Sequence, residues 1–158
     1  MIGLIQRVAR AEVTVAGTSV AKIGRGLLAL VAVERGDTEL EARRLAERLT
    51  SYRVFADANE RMNLSVGEIG GGLLLVPQFT LAADTNKGTR PGFDPAAPPE
   101  QGRKLFALLV ELVKSRHAIV ACGSFGDTMQ VALVNDGPAT FILRAAPPLP
   151  RAGCHGDS

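Results

Sequence analysis

Polar and apolar residues alternate in places through the first fifteen positions, most clearly at Glu12-Val13-Thr14-Val15. A period of two predicts strand with one wet face. Gly17 marks a hairpin turn, and Ser19 to Ile23 return from it. Gly24 and Gly26 then punctuate the chain before Leu27 to Val33, seven apolar residues in a row. Such a run predicts a central strand buried on both faces. At Gly36-Asp37-Thr38 the period changes to that of a helix, with Ala42, Leu45, Ala46 and Leu49 as its apolar stripe. Glu39, Arg43, Glu47 and Arg48 form its solvated face. Thr38 and Glu41 have the spacing of a capping box, which satisfies two free backbone donors where a helix begins.

Tyr52 to Ala56 reads as a strand and Asp57 to Glu60 as a turn. Residues 70–81 read GGGLLLVPQFTL, a core strand through Leu73 to Val76 that Pro77 breaks. Proline lacks the donor that a central strand gives its neighbour. Asn86 to Pro99 is rich in glycine and proline without periodicity, which predicts a long surface loop. Pro98 and Pro99 stand where a helix starts, and Leu105, Phe106, Leu109, Leu112 and Val113 line one face of it up to about Arg116. Three strands follow, Ala118 to Cys122, Met129 to Val134 and Ala139 to Arg144. From Pro147 the chain reads PPLPRAGCHGDS, the composition of a disordered tail after one domain of residues 1–146. About eight or nine strands and two helices, without strict βαβ alternation, predict the α+β class. The expected architecture is a strongly curved, barrel-like, mostly antiparallel sheet with two external helices.

Composition narrows the class but not the partner. At 158 residues with 46% hydrophobic and 22% charged positions, the chain fits one soluble globular domain. No apolar run approaches the roughly 20 residues of a membrane helix, and MIGLIQRVAR lacks the order of a signal peptide. No membrane partner is expected. Cys122 and Cys154 suggest no disulfide framework, so the cytoplasm is the expected compartment. A net charge of +2 permits a polyanionic partner without requiring one.

Candidate chemistry is defined first by what is missing. The two histidines, His117 and His155, offer no base among nucleophilic partners, and no His/Cys cluster has ligand spacing. No metal and no cofactor are expected. His117 suits a helix end and His155 lies in the tail. Two polar segments remain, Pro77-Gln78-Phe79-Thr80 and Asn135-Asp136-Gly137-Pro138-Ala139-Thr140. The second reads as a turn, since Asp-Gly is a hairpin signal and Gly-Pro a punctuator. A Gly-Pro bond can also be cis, which aims carbonyl groups in directions a trans bond cannot.

At these segments the chain resembles the D-aminoacyl-tRNA deacylase (D-tyrosyl-tRNA(Tyr) deacylase) family. The resemblance runs from Met1 to about Leu143 and rests on MIGLIQRV, RMNLSV, PQFTLAAD and LVNDGPATF in that order and spacing. It implies a homodimer with active sites at the subunit interface. Its substrate is the ester joining an amino acid to the 3′-terminal adenosine of tRNA, and its reaction is hydrolytic proofreading of D-amino acids and of glycine. By this resemblance Gln78, Phe79 and Thr80 lie beside the scissile carbonyl, with backbone N–H groups stabilising the oxyanion. The vicinal 2′-hydroxyl of the substrate helps to activate water, and Thr80 positions rather than attacks. Gly137-Pro138 is a cis-proline loop that reaches into the partner's site. Arg7 braces that loop across the interface, and Met129, Asn135 and Pro77 complete the substrate pocket.

The family pattern has serine where this chain has Pro77. In that respect the chain resembles a related deacylase branch that acts on an L-amino acid mischarged onto tRNA, with relaxed chirality. Two further readings are a catalytically silent tRNA-binding module and a dimeric scaffold whose Gly-Pro turn is structural.

Overall fold

A computed structural model describes residues 1–145. The expected tail, and the domain boundary at residue 146, lie outside them. Strand β1 (Ile2–Val15) is the spine. Along one edge it pairs antiparallel first with β3 (Gly26–Ala32) and then with β2 (Thr18–Ile23). Along the other edge it pairs antiparallel with β8 (Gln130–Arg144) for almost its whole length. Strand β6 (Gly72–Pro77) runs parallel to β3, and the short β7 (Val120–Cys122) runs parallel to β6. The sheet therefore mixes antiparallel pairing around β1 with parallel pairing beyond β3. It curls into a nearly closed barrel-like shape beside two helices, α1 (Glu39–Ser51) and α2 (Pro99–Lys114). Among the described residues no helix is long and apolar enough to cross a membrane.

The apolar runs separate into two cores. On β3 and β6 the odd-numbered Leu27, Ala29, Leu73 and Leu75 pack under α1 and α2 against Leu45, Leu49, Phe106 and Leu109. Even-numbered Leu28, Leu74 and Val76 face the barrel interior, where Val8, Val13 and Ile23 meet them. This is why both strands read as unbroken hydrophobic runs: each is covered on both faces. The two strands approach most closely where they begin. A Cβ added at Gly26 would lie 1.9 Å from the carbonyl oxygen of Gly72, so only glycine fits there.

Helix α1 begins as its capping spacing requires. The Thr38 N–H and hydroxyl both donate to Glu41 Oε2 at 2.6 Å, and the Leu40 N–H donates to Thr38 Oγ1 at 3.2 Å. The bond from the Thr38 hydroxyl holds the Glu41 carboxyl below its ordinary value, with burial opposing it and the Thr38 N–H adding to it. A carboxyl lowered in the folded state stabilises above its unfolded value and loses that contribution as pH falls through the folded one. Thr38→Ala is expected to cost about 1 kcal/mol in urea unfolding at neutral pH. Its gap to the unsubstituted chain should narrow on acidification. A gap independent of pH would remove Glu41 from the cap.

Four expectations of local structure change. The predicted strand over Tyr52 to Ala56 shrinks to β4 (Phe55–Ala56), because α1 runs on to Ser51 and the Tyr52 N–H still caps it. Strand β4 pairs with an unanticipated β5 (Met62–Leu64) in a separate two-stranded sheet, across the turn at Asp57 to Glu60. Strand β7 is shorter than Ala118 to Cys122. Finally, the two strands predicted at Met129 to Val134 and Ala139 to Arg144 are one. Both pair with β1 in the same direction, from Thr14↔Gln130 to Ile2↔Arg144. A hairpin would have reversed the chain between them, so Asn135 to Thr140 is not a hairpin turn.

Candidate active site

The break at Pro77 has a local explanation. On β6 the donors of odd-numbered residues face β7: the Leu73 N–H bonds to Ile119 O at 2.9 Å. The last paired rung on that side is Leu75↔Cys122, and Gly123 N–H closes the edge on Leu75 O at 2.8 Å. Pro77 thus stands where the neighbouring strand has ended, and its missing N–H leaves no ladder bond unmade. On the other side the Gln78 N–H still reaches Val31 O at 2.7 Å. The chain then coils into a 3-10 turn, Phe79–Ala82, without a side-chain cap. Its leading N–H groups, those of Phe79 and Thr80, have no partner within such a turn.

This turn presents its polar groups outward. Gln78 is half-buried and its Nε2 donates to Thr80 Oγ1 at 3.3 Å, while Phe79 and Thr80 are exposed. The Phe79 ring rests on Phe93 with centroids 5.3 Å apart. Met129 sits close by: a Cβ added at Gly123 would meet Met129 Sδ at 2.9 Å and Pro77 Cδ at 3.4 Å. Pro77, Gln78, Phe79, Thr80 and Met129 therefore form one cluster.

The second segment is a bulge in β8. Thr140 pairs with Gln6 and Asn135 with Val8, so four residues, Asp136 to Ala139, stand opposite Arg7 alone. Residues 134–138 are all exposed, and the Gly137–Pro138 bond is cis. Three side chains hold the bulge. Arg7 Nε donates to Asp136 O at 2.8 Å while its Nη1 donates to Val54 O at 2.7 Å. Asn135 Nδ2 spans the base, donating to Arg7 O at 2.9 Å and to Ala139 O at 3.4 Å. Gln6 Nε2 donates to Thr140 Oγ1 at 3.2 Å. A Cβ at Gly137 would lie 2.7 Å from Asn135 Oδ1 and 3.1 Å from the Ala139 nitrogen, so a side chain there would push the strut aside.

These contacts give two of the candidate residues a further, structural part within the chain. Asn135 spends its amide nitrogen on the backbone of its own bulge, while its Oδ1 makes no bond among the described residues. Arg7 braces the loop of its own chain, through Asp136 O, and ties it to Val54. The sequence did not single out Gln6 or the Val54 carbonyl. Gln6 is one polar residue in an alternating strand, and a backbone oxygen leaves no residue-type signal.

Among the described residues no hydrogen bond or ion pair joins the Asp136–Pro138 loop to the Pro77–Thr80 turn. Arg7 is level with Leu27 and hence with Leu73 on β6, four residues short of Pro77. Strands β1 and β3 separate β8 from β6. At about 3.3 Å per residue and about 4.8 Å per strand, the path along the sheet between them is on the order of 15–20 Å.

Residues 4–144 match the family model described as D-Tyr-tRNA(Tyr) deacylase. The chain is 61% identical to a D-aminoacyl-tRNA deacylase of Methylococcus capsulatus, over 97% of its own length and 100% of that protein. It is 60% identical to a D-aminoacyl-tRNA deacylase of Ralstonia nicotianae, over 97% of its length and 95% of the relative. Among solved structures, the c-Myc DNA Unwinding Element Binding Protein superposes with a TM-score of 0.89 at 34% identity, covering 93% of this chain and all of the other. A probable eukaryotic D-amino acid tRNA deacylase shares the fold, with a TM-score of 0.75 at 17% identity over 90% of this chain and 97% of the other.

Proposed function

This chain belongs to the D-Tyr-tRNA(Tyr) deacylase family, a family of ester hydrolases, and we propose that it clears D-amino acids, and glycine, from the 3′-terminal adenosine of tRNA in the cytoplasm. The observation that carries this reading is the pair of preformed but separated half-sites. One carries exposed backbone donors at Phe79 and Thr80; the other is a rigidly strutted Gly137-Pro138 loop. Neither is bonded to the other within one chain, and each is exposed to receive a partner. In a homodimer the loop of one subunit enters the Gln78–Thr80 site of the other, and two equivalent sites form at the interface.

The chemistry asks little of side chains. An aminoacyl ester is an activated acyl group, so water aided by the substrate's own 2′-hydroxyl suffices as nucleophile. The Phe79 and Thr80 N–H groups take up the oxyanion, a role in which one donor is worth roughly 3–4 kcal/mol. Thr80 Oγ1, held by Gln78, positions the reacting group. The carbonyls of the Gly137-Pro138 loop bind the substrate amino group so that an L side chain collides with backbone. Discrimination works by exclusion and tolerates many D side chains.

The test is deacylation of D-Tyr-tRNA and L-Tyr-tRNA by the purified chain, with Pro77→Ser alongside. Release of the D-amino acid alone is the expected result, with proline replacing serine without loss. Release of an L-amino acid mischarged onto tRNA, with D-preference restored by Pro77→Ser, would move the chain to the relaxed branch. Release of neither with tRNA still bound would leave a silent binding module. The shared site has its own test: mixing a variant inactive at Thr80 with one inactive in the 136–138 loop should restore activity in the heterodimer.

A further inference from the structure

The deacylase reading leaves open how the protein holds the nucleic acid beyond its last nucleoside. We propose that the tip of the loop between Asp84 and Gly92 grips the phosphodiester backbone of the substrate's 3′ end through Lys87 and Arg90. The proposal rests on that reading of the site, because the loop is built against it. Two backbone bonds close its base, Asp84 N–H to Gly92 O at 2.7 Å and Gly92 N–H to Asp84 O at 2.9 Å. Just past the base, Phe93 lays its ring on Phe79 of the turn that carries Thr80. Both rings are large apolar groups left in solvent, 43% and 58% exposed. The loop is further pinned by the Arg35 N–H on Pro95 O at 2.8 Å and by Arg35 Nε on Asp94 O at 2.9 Å. A chain docked on the turn meets this loop as a fixed wall.

Charge decides what that wall recognises. The tip, residues 85–91, carries Lys87 and Arg90 and no acid. The acids of the loop stand at its base: Asp84, whose Oδ1 accepts the Asn86 N–H at 2.9 Å, and Asp94. Among the described residues neither Lys87 nor Arg90 has an ion pair or a hydrogen bond, and both are exposed. Of the basic residues of α2 and its end, Lys104 is likewise exposed and without a partner among the described residues, while the others are engaged. Arg103 lies 4.9 Å over the Phe125 ring, Lys114 faces Glu111, and Arg116 Nε donates to Thr50 Oγ1. Cations fixed beside the reacting end, with their charge unspent, suit the phosphates that adjoin the ester.

The experiment compares Lys87→Ala/Arg90→Ala with the unsubstituted chain on two substrates. One is D-Tyr-tRNA; the other is the D-tyrosyl ester of adenosine, which has no phosphodiester. The double variant should act more slowly on tRNA through a raised KM and unchanged on the adenosine ester. Two contacts to a single strand contribute about 1.4 to the slope of log affinity against log salt. Between about 50 and 200 mM salt the unsubstituted chain should therefore lose about sevenfold more affinity for tRNA than the variant. Equal slowing on both substrates, or no slowing on tRNA, would overturn the proposal. Should the unsubstituted chain hydrolyse neither substrate, the deacylase reading fails separately. The loop is then judged on binding of uncharged tRNA alone, where an unchanged salt slope, or no binding, rejects it.

Discussion

Arg7→Lys is expected to lower kcat/KM on D-Tyr-tRNA by roughly ten- to a hundredfold, and to lower it less on a poor L-substrate, so that chiral discrimination shrinks. The reason is geometric. One guanidinium donates in two directions at once, through Nε to Asp136 O and through Nη1 to Val54 O. Lysine keeps the charge but offers a point donor without the planar fork. It can hold the bulge or the carbonyl before β4, not both in register. A hydrogen bond from a charged group is worth about 1.5–3 kcal/mol, which sets the range for losing one of the two. The Asp136 carboxylate, 3.4 Å from Nε, is half-exposed and adds little. Asn135 and Gln6 still hold the ends of the bulge, so the loop loosens rather than unfolds. Steady-state kinetics on both enantiomers, with thermal unfolding as control, checks this. If D- and L-rates fall in parallel with the melting temperature, Arg7 supports only the fold and has no part in chiral selection.

Gly26→Ala should be the most destabilising single methyl in the chain, costing about 3 kcal/mol or more. The added Cβ would sit 1.9 Å from Gly72 O, 2.7 Å from Gly72 C and 2.7 Å from Gly72 N, all of it backbone that cannot rotate away. Relief requires parting β3 from β6 at the first rungs, Gly26↔Gly72 and Leu27↔Leu73, where the leucines are fully buried. Gly24→Ala is the matched control. Gly24 has nothing within 4 Å of an added Cβ and no left-handed backbone, so its substitution should change stability by less than about 0.5 kcal/mol. Urea unfolding of the pair separates local crowding from the general effect of losing glycine. Equal stabilities would mean that the two strands do not approach as described.

Several features were legible because their causes are local. The double-sided burial of β3 and β6 follows from unbroken apolar runs, the start of α1 from Thr38 and Glu41, and the start of α2 from Pro98 and Pro99. The polar segments at Pro77–Thr80 and Asn135–Thr140 stood out because each breaks a good strand with residues that no strand needs. Reading Asn135–Thr140 as a turn failed for a reason visible only in the pairing. Asp-Gly followed by proline has the same local signature whether the chain reverses or bulges. What distinguishes them is whether the flanks pair with each other or with a third strand, and β1 is more than a hundred residues away in sequence. The brief β4 and β5 were hard to read for the opposite reason, since a two-stranded ribbon of so few residues has too little periodicity to announce itself.

The sequence alone determined the class of fold, the two polar segments and, through resemblance, the kind of chemistry they serve, because these depend on residue type and order. Tertiary structure decided the rest. It made β8 one strand with a bulge, gave Asn135 a strut's place at the base of that bulge, and joined Arg7 to its own loop. It also set the two polar segments on different strands, with β1 and β3 between them in the sheet. Those outcomes depend on which strands become neighbours and at what register, a choice made by the burial of the whole core rather than by any short stretch of residues.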